Sequence, residues 1–360
     1  MKRVNARVLA FSYGGCFLGA GFVSGQELWQ FFGSFGVWGY AGLLLAALLF
    51  VALGIILIRL IQMTGYDELD RLMVPWEKLS WMRKAIGAIA TAFLFGVVII
   101  LSAGVGALLH QLFAVPAWIG SAVFAAAVAI IALFGVSGML NAFSFLTPVL
   151  VGATVLFAVG AWCKFDTGHI LAITNTNHNP LMPNVVIAAL TYVAYNMLGG
   201  MSVMVSIGKM VEKKSTTYWG IGFGGLMLAG VAVSVLTSVA SLPGAEQAEM
   251  PMAAVGSGLS PALGKCYGIM LLLAMFINAL ACLVALTVHL GKKAPKLMEK
   301  RKLFLIVMAV IMWLGSLFGF GRIISVVFPV FGYLSIVFII CMTVHFFQCK
   351  KRKKQEKPEA

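Results

Sequence analysis

Charge is what this 360-residue sequence has least of. Charged residues make up 11% and hydrophobic residues 61%, where an ordinary soluble domain carries about 25% charged residues. With a mean hydropathy of +0.99, the chain reads as an integral membrane protein. Long polar stretches are also missing, which excludes a soluble enzyme on a membrane anchor. The six cysteines form no Cys-x-x-Cys pair, so neither a zinc site nor a redox couple is expected. Cys163 and Cys266, both placed near the outer surface, would form a disulfide if adjacent. His-Glu-x-x-His and phosphate-loop motifs are absent, and no cofactor is expected. The first apolar segment follows Lys2, Arg3 and Arg7 as a signal peptide would. It is too long for one and has no clear small-residue cleavage site before a polar region, so it is read as retained.

Runs of about 20 apolar residues suffice to cross a bilayer. They fall at 8–35, 38–62, 85–113, 117–136, 139–162, 184–210, 218–241, 263–290, 303–320 and 323–347. Ten spans place both termini on one side. Short connections at Gly36-Val37 and Ser137-Gly138 fit antiparallel neighbours. On this topology one face holds 23 of the 26 lysines and arginines. Three precede the first span, five lie between Arg59 and Lys84, and three are Lys209, Lys213 and Lys214; six lie between Lys292 and Lys302 and six in the tail. The other face keeps Lys164, Lys265 and Arg322. The positive-inside rule then makes both termini cytoplasmic; nine or eleven spans would scramble the asymmetry. The net charge of +14 has the same origin. The tail Lys350-Lys351-Arg352-Lys353-Lys354 can touch anionic lipid headgroups, and no soluble basic fold accompanies it for binding nucleic acid.

Five spans (residues 1–163) precede a polar linker at 164–183, and five (184–348) follow it before the basic tail at 349–360. An odd number per half gives the halves opposite orientations. The loops at 63–84 and 242–262 are similar in length, each with an amphipathic stretch, Asp67-Glu68-Leu69-Asp70-Arg71-Leu72 in one and residues 245–254 in the other. The fifth span of each half carries a proline and then a glycine, Pro148 with Gly152 and Pro329 with Gly332.

The first span contains Gly14-Gly15-Cys16-Phe17-Leu18-Gly19-Ala20-Gly21-Phe22-Val23-Ser24-Gly25-Gln26-Glu27, where a simple anchor would carry leucines. Each glycine costs a helix about 1 kcal/mol relative to alanine. A bilayer tolerates non-helical backbone only where protein or a watery cavity satisfies its polar groups. The sixth span has Tyr195-Asn196-Met197-Leu198-Gly199-Gly200 near its middle. Glycine-interrupted segments at matching places in two inverted halves point to a transporter site. Close helix packing is the plainer explanation of an isolated glycine; the pairing, with Ser24 and Asn196 beside it, favours the site.

On these residues the chain resembles the LeuT-fold, or amino acid–polyamine–organocation, transporters, and more narrowly the YkvI-like family of bacterial membrane proteins. The resemblance implies an all-α membrane protein of ten transmembrane helices in a 5+5 inverted repeat, with helices one and six broken. It also implies an alternating-access carrier in the cytoplasmic membrane of a bacterium, its site between the breaks and flanked by spans three and eight. The expected solute-binding residues are Gly15, Gly19, Ala20, Gly21, Ser24, Gly25, Tyr195, Asn196, Gly199, Gly200 and Asn278. Such a break presents carbonyls at residues 15–18 and near Asn196, and amides from about Ser24 and at 200–202. Carbonyl ends attract cations and amide ends attract carboxylates, so a zwitterionic amino acid or a related small organic ion would satisfy both.

Glu27 is the one acidic residue well inside a span, which by default marks function: proton coupling, cation attraction or gating. Ser24-Gly25-Gln26-Glu27 equally fits a Ser-x-x-Glu capping box, and the two readings are compatible. Coupling to a proton or a sodium ion is compatible with the resemblance, but the residues support neither ion. Sodium-coupled relatives place an Asn where Phe22 stands, and hydroxyls in span eight where Phe276-Ile277-Asn278-Ala279-Leu280-Ala281-Cys282 has none. Some proton-coupled relatives place a lysine in span five, and none occurs at 139–162. Two other readings compete. A channel wants a continuous polar lining, which these spans lack. Gly135-Val136-Ser137-Gly138 matches the Gly-x-Ser-Gly of rhomboid-type proteases, with His289 or His345 as base, but Ser137 sits where a tight turn already favours Gly and Ser.

Overall fold

A computed structural model describes residues 4–66, 69–133, 139–166, 179–293 and 300–355. Among these residues all regular secondary structure is helical. The first segment forms three short pieces, α1 (Ala6–Phe17), α2 (Ala20–Ser24) and α3 (Gln26–Phe31). Then come α4 (Val37–Thr64), the short α5 (Leu69–Met73), α6 (Ser80–Phe113), α7 (Ala117–Leu133) and α8 (Met139–Lys164). After the linker run α9 (Val185–Gly208), α10 (Lys214–Ser241), the short α11 (Pro251–Leu259), α12 (Pro261–Lys293), α13 (Arg301–Ser316) and α14 (Phe320–Gln355). Six of them, α4, α6, α8, α10, α12 and α14, are long and apolar enough to cross a membrane, and α7 and the first part of α9 are shorter apolar helices. Their many exposed leucines, valines and isoleucines are what a lipid-facing surface requires, since lipid and a protein interior are equally apolar.

The helices sort into two packed groups. In one, α1 lies along α10 and against α9, while α4 packs on both α9 and α10. In the other, α6 packs on α7 and α12, and α13 packs on α7 and α6. Helix α14 bridges them, touching α9 and α6, and α8 touches α1, α10 and α12. The two amphipathic loop stretches appear as α5 and as a short turn at Ala245–Gln247 followed by α11.

Three expectations need correction. Span six is not broken: α9 runs continuously through Asn196, Gly199 and Gly200. A Cβ on Gly199 would lie 2.9 Å from Phe93 Cε1, and one on Gly200 would lie 2.5 Å from Phe17 Cε1. These glycines therefore admit rings from α6 and α1, the close-packing role of small residues between membrane helices. Cys163 and Cys266 are free and exposed. The capping box at Glu27 does not form, for reasons given below. Ser137 lies outside the described residues, as do parts of the linker and tail.

Candidate functional site

The break in the first segment has two bends. Helix α1 ends where the Leu18 amide donates to the Gly14 carbonyl (2.9 Å) and the Gly19 amide to the Phe17 carbonyl (2.8 Å). Gly19 is extended (φ −70°, ψ 170°), and α2 starts after it at Ala20, four residues earlier than the Ser24 start expected. The second bend is Gly25, at φ 86°, a left-handed conformation open to glycine at no steric cost. Gly25 is also the N-cap of α3, with no side-chain capping bond. Ser24 Oγ donates to the Gly21 carbonyl (3.0 Å) and accepts from the Gln26 amide (3.3 Å), leaving Glu27 outside any box.

Freed from that role, Glu27 folds back over α2. A Cβ on Gly21 would overlap Glu27 Oε1 and lie 2.5 Å from its Cδ and 2.7 Å from its Cγ. The carboxyl group thus occupies the space that a side chain at position 21 would need. Its Oε2 accepts a 2.7 Å hydrogen bond from the Tyr195 hydroxyl on α9. The Tyr195 ring stacks on Phe328 of α14, with centroids 4.4 Å apart and planes 13° apart. Phe93 of α6 lies 6.3 Å from Tyr195 and 6.4 Å from Phe328. Behind Glu27, Tyr192 packs against Phe31 and Phe32 at 5.2 and 5.1 Å, an aromatic layer that is fully buried.

Between the two helix groups lies a cavity of about 160 Å³. It brings together Gly15, Gly19, Gly21, Glu27, Tyr195, Asn196, Gly199, Gly200 and Asn278 of the sequence-predicted set. Ser24 and Gly25 are not among its lining residues; their work is the second bend. Ala20 opens α2, and its side chain lies outside the described residues. Asn196 turns back on its own helix, donating to the Tyr192 carbonyl at 2.9 Å. On α12, Asn278 Oδ1 is 3.8 Å from the Cys282 thiol, and its Nδ2 would stand 3.5 Å from a Cβ on Gly19. Phe22 is buried and lies 6.5 Å from Tyr192.

Sequence reasoning missed the remaining wall: Phe17, Phe93, Phe328 and the thiols Cys16 and Cys282, with aliphatic residues of α6 and alanines of α12. Nothing in a chain with 26 phenylalanines singles these out. Among the described lining residues there is no Lys, Arg, His or Asp; Glu27 is the one acidic side chain. From Glu27 the cavity extends along α12 through Asn278, Ala281 and Cys282 to Ala285, toward the basic end of that helix.

No protein-family model matches the chain. It is 25% identical over 354 residues to the uncharacterized membrane protein YkvI of Bacillus subtilis, covering 98% of this chain and 97% of that one. It is 27% identical over 347 residues to the uncharacterized protein YyaD of the same organism, covering 92% and 94%. Among solved structures, a Na+-coupled sialic acid symporter superposes with a TM-score of 0.67 at 12% identity, covering 94% of this chain and 79% of that one. MhsT in complex with L-phenylalanine gives 0.63 at 19% identity, covering 94% and 87%. Mhp1, a nucleobase-cation-symport-1 family transporter with bromovinylhydantoin bound, gives 0.61 at 17% identity, covering 87% and 71%. The chain is thus a homologue of the membrane protein YkvI and of YyaD, and its structural neighbours are LeuT-fold transporters.

Proposed function

We propose that this protein is a secondary transporter that moves a small organic solute, an amino acid or an amine, by alternating access. One observation carries the reading: the interrupted first segment lines an internal cavity holding a single buried carboxyl group. A break in a membrane helix is tolerated where it borders such a space. At about 160 Å³ the cavity is close to the roughly 150 Å³ that accommodates benzene, so the solute is a compact molecule. The LeuT-fold neighbours support a carrier. Packing into two groups bridged by α8 and α14 supports rocking of one against the other. The proposed topology remains ten spans in two inverted halves, 1–163 and 184–348, joined by an outer linker, with both termini and the basic tail cytoplasmic. On that topology the cavity extends from Glu27 toward the cytoplasm, and the Phe31, Phe32 and Tyr192 layer closes the outer side.

The proposed site is Glu27, Tyr195, Asn278 and the backbone at 15–21, with Gly199 and Gly200 shaping its wall. A cavity ending in a buried aromatic layer favours a carrier over a channel, which needs a continuous conducting path. Purified protein in liposomes, offered labelled amino acids and amines under proton or sodium gradients, tests this directly. Gradient-driven accumulation is expected; gradient-independent ionic current at channel rates would refute the carrier.

A further inference from the structure

In a broken membrane helix, the free amides of the second piece are the natural seat for a solute carboxylate. Here that place is taken. The Glu27 carboxyl group folds over Gly21 and fills the space above α2. A second carboxylate brought there would meet a like charge with no cation to share, because no Lys, Arg or His lines the cavity among the described residues. Around Glu27 stand the rings of Tyr195, Phe93 and Phe328. A cation within about 6 Å of an aromatic face is attracted by the ring's negative face, so carboxyl group and rings favour the same sign of charge.

We propose, resting on the transporter reading above, that the solute is a compact organic cation held against Glu27 and this ring cluster, and that a proton takes its place when the solute leaves. The second half follows from the surroundings of Glu27. The titratable groups facing it are the hydroxyls of Tyr195 and Tyr192 on α9 and the thiols of Cys16 on α1 and Cys282 on α12; α6 and α14 present only phenylalanines and aliphatic residues. None is a cation. An ionised carboxylate left in so apolar a place with one hydrogen bond is costly, so the empty carrier returns with Glu27 protonated. Solute cation and proton then exclude each other at one carboxyl group. The proton released when the cation binds passes to the compartment the cavity faces, and the cycle is a cation-for-proton exchange.

The test uses the full chain in sealed liposomes with an acidic lumen, and choline, tetramethylammonium and ethyltrimethylammonium, which have no neutral form that could cross the bilayer unaided, as probes. At least one should accumulate, the external medium should acidify with it, and uptake should stop when the pH gradient is collapsed. The same cation should protect Cys16 and Cys282 from N-ethylmaleimide, while 3,3-dimethyl-1-butanol, the uncharged isostere of choline, should not. Glu27→Gln should weaken cation binding roughly thirtyfold or more, as loss of a desolvated charge partner does, and should abolish the accompanying proton movement. Glu27→Asp, which keeps the charge on a shorter side chain, should bind the cation more weakly than wild type but keep the remaining uptake coupled to protons, and thermal unfolding of both variants separates a lost site from a lost fold. Accumulation of L-leucine with no binding of the three cations would overturn this inference and leave the transporter reading standing. Cation uptake coupled to protons in a folded Glu27→Gln variant would overturn the role of Glu27. Gradient-independent current without accumulation would overturn the transporter reading itself.

Discussion

Adding one methyl group at Gly21 tests the geometry most sharply, because two effects of opposite sign are at stake. Glycine in a helix is normally less stable than alanine by about 0.5–1 kcal/mol, so Gly21→Ala taken alone would stabilise. In this structure the new Cβ falls on Glu27 Oε1 and within 2.7 Å of Cδ and Cγ. The carboxyl group has to swing away, and its 2.7 Å bond from Tyr195 is lost. Hydrogen bonds to charged groups contribute about 1.5–3 kcal/mol. Hydrogen bonds between neutral groups contribute about 0.5–1.5 kcal/mol, so the bond matters most when solute holds Glu27 ionised; its loss then costs binding about 1–2 kcal/mol, a roughly five- to thirtyfold weaker hold on the solute. Affinity is read from the solute concentration that protects Cys16 from a thiol reagent, and stability from thermal unfolding in detergent. Gly230→Ala is the control, since nothing lies within 4 Å of its added Cβ; it should raise the unfolding temperature and leave affinity alone. Unchanged affinity with a raised unfolding temperature in Gly21→Ala would refute the placement of Glu27 over α2.

Tyr195→Phe keeps the ring stacked at 4.4 Å on Phe328 but removes the donor to Glu27. Solute affinity should fall about tenfold, the cost of one net hydrogen bond to a charged group, with little change in unfolding temperature. Gly25→Ala forces a Cβ into a left-handed backbone at a cost of about 1–2 kcal/mol. Val239 Cγ2 stands 3.1 Å and Met252 Cγ 3.3 Å from that Cβ, so the unfolding temperature should drop, and a rise would refute the second bend. Gly200→Ala drives a Cβ to 2.5 Å from Phe17 Cε1. Overpacking of this kind costs about 1–3 kcal/mol; unfolding at the wild-type temperature would show that α1 and α9 are farther apart than described.

The legible part of the sequence is the part whose cause is local. Five glycines within one apolar run cannot be a plain anchor, and α1, α2 and α3 show the resulting breaks at Gly19 and Gly25. Gly199-Gly200 carries the same local signal with a different outcome, because what decides it comes from elsewhere. Phe17 and Phe93 arrive from α1 and α6 and fill the space the two glycines leave, so α9 keeps its hydrogen bonds and gains close packing. Gly-Gly alone does not tell a break from a close approach. Phe93 and Phe328 carry no mark at all, since a membrane protein uses phenylalanine everywhere.

Glu27 shows both sides within four residues. Its rarity made it a functional residue from sequence alone, and its spacing from Ser24 made it a cap. The spacing rule assumes that Ser24 starts the helix. Gly25 starts it instead, in a conformation that turns Glu27 inward, and the partner it meets, Tyr195, is 168 residues away. Had Glu27 been a cap, α2 would have kept open amides and suited an anionic group. With Glu27 lying over Gly21, the protein supplies that negative charge itself, and a cavity lined by this carboxyl group and aromatic rings suits a positive one. The identity of one side chain at position 21, glycine and nothing larger, is therefore tied to the sign of the charge the site accepts.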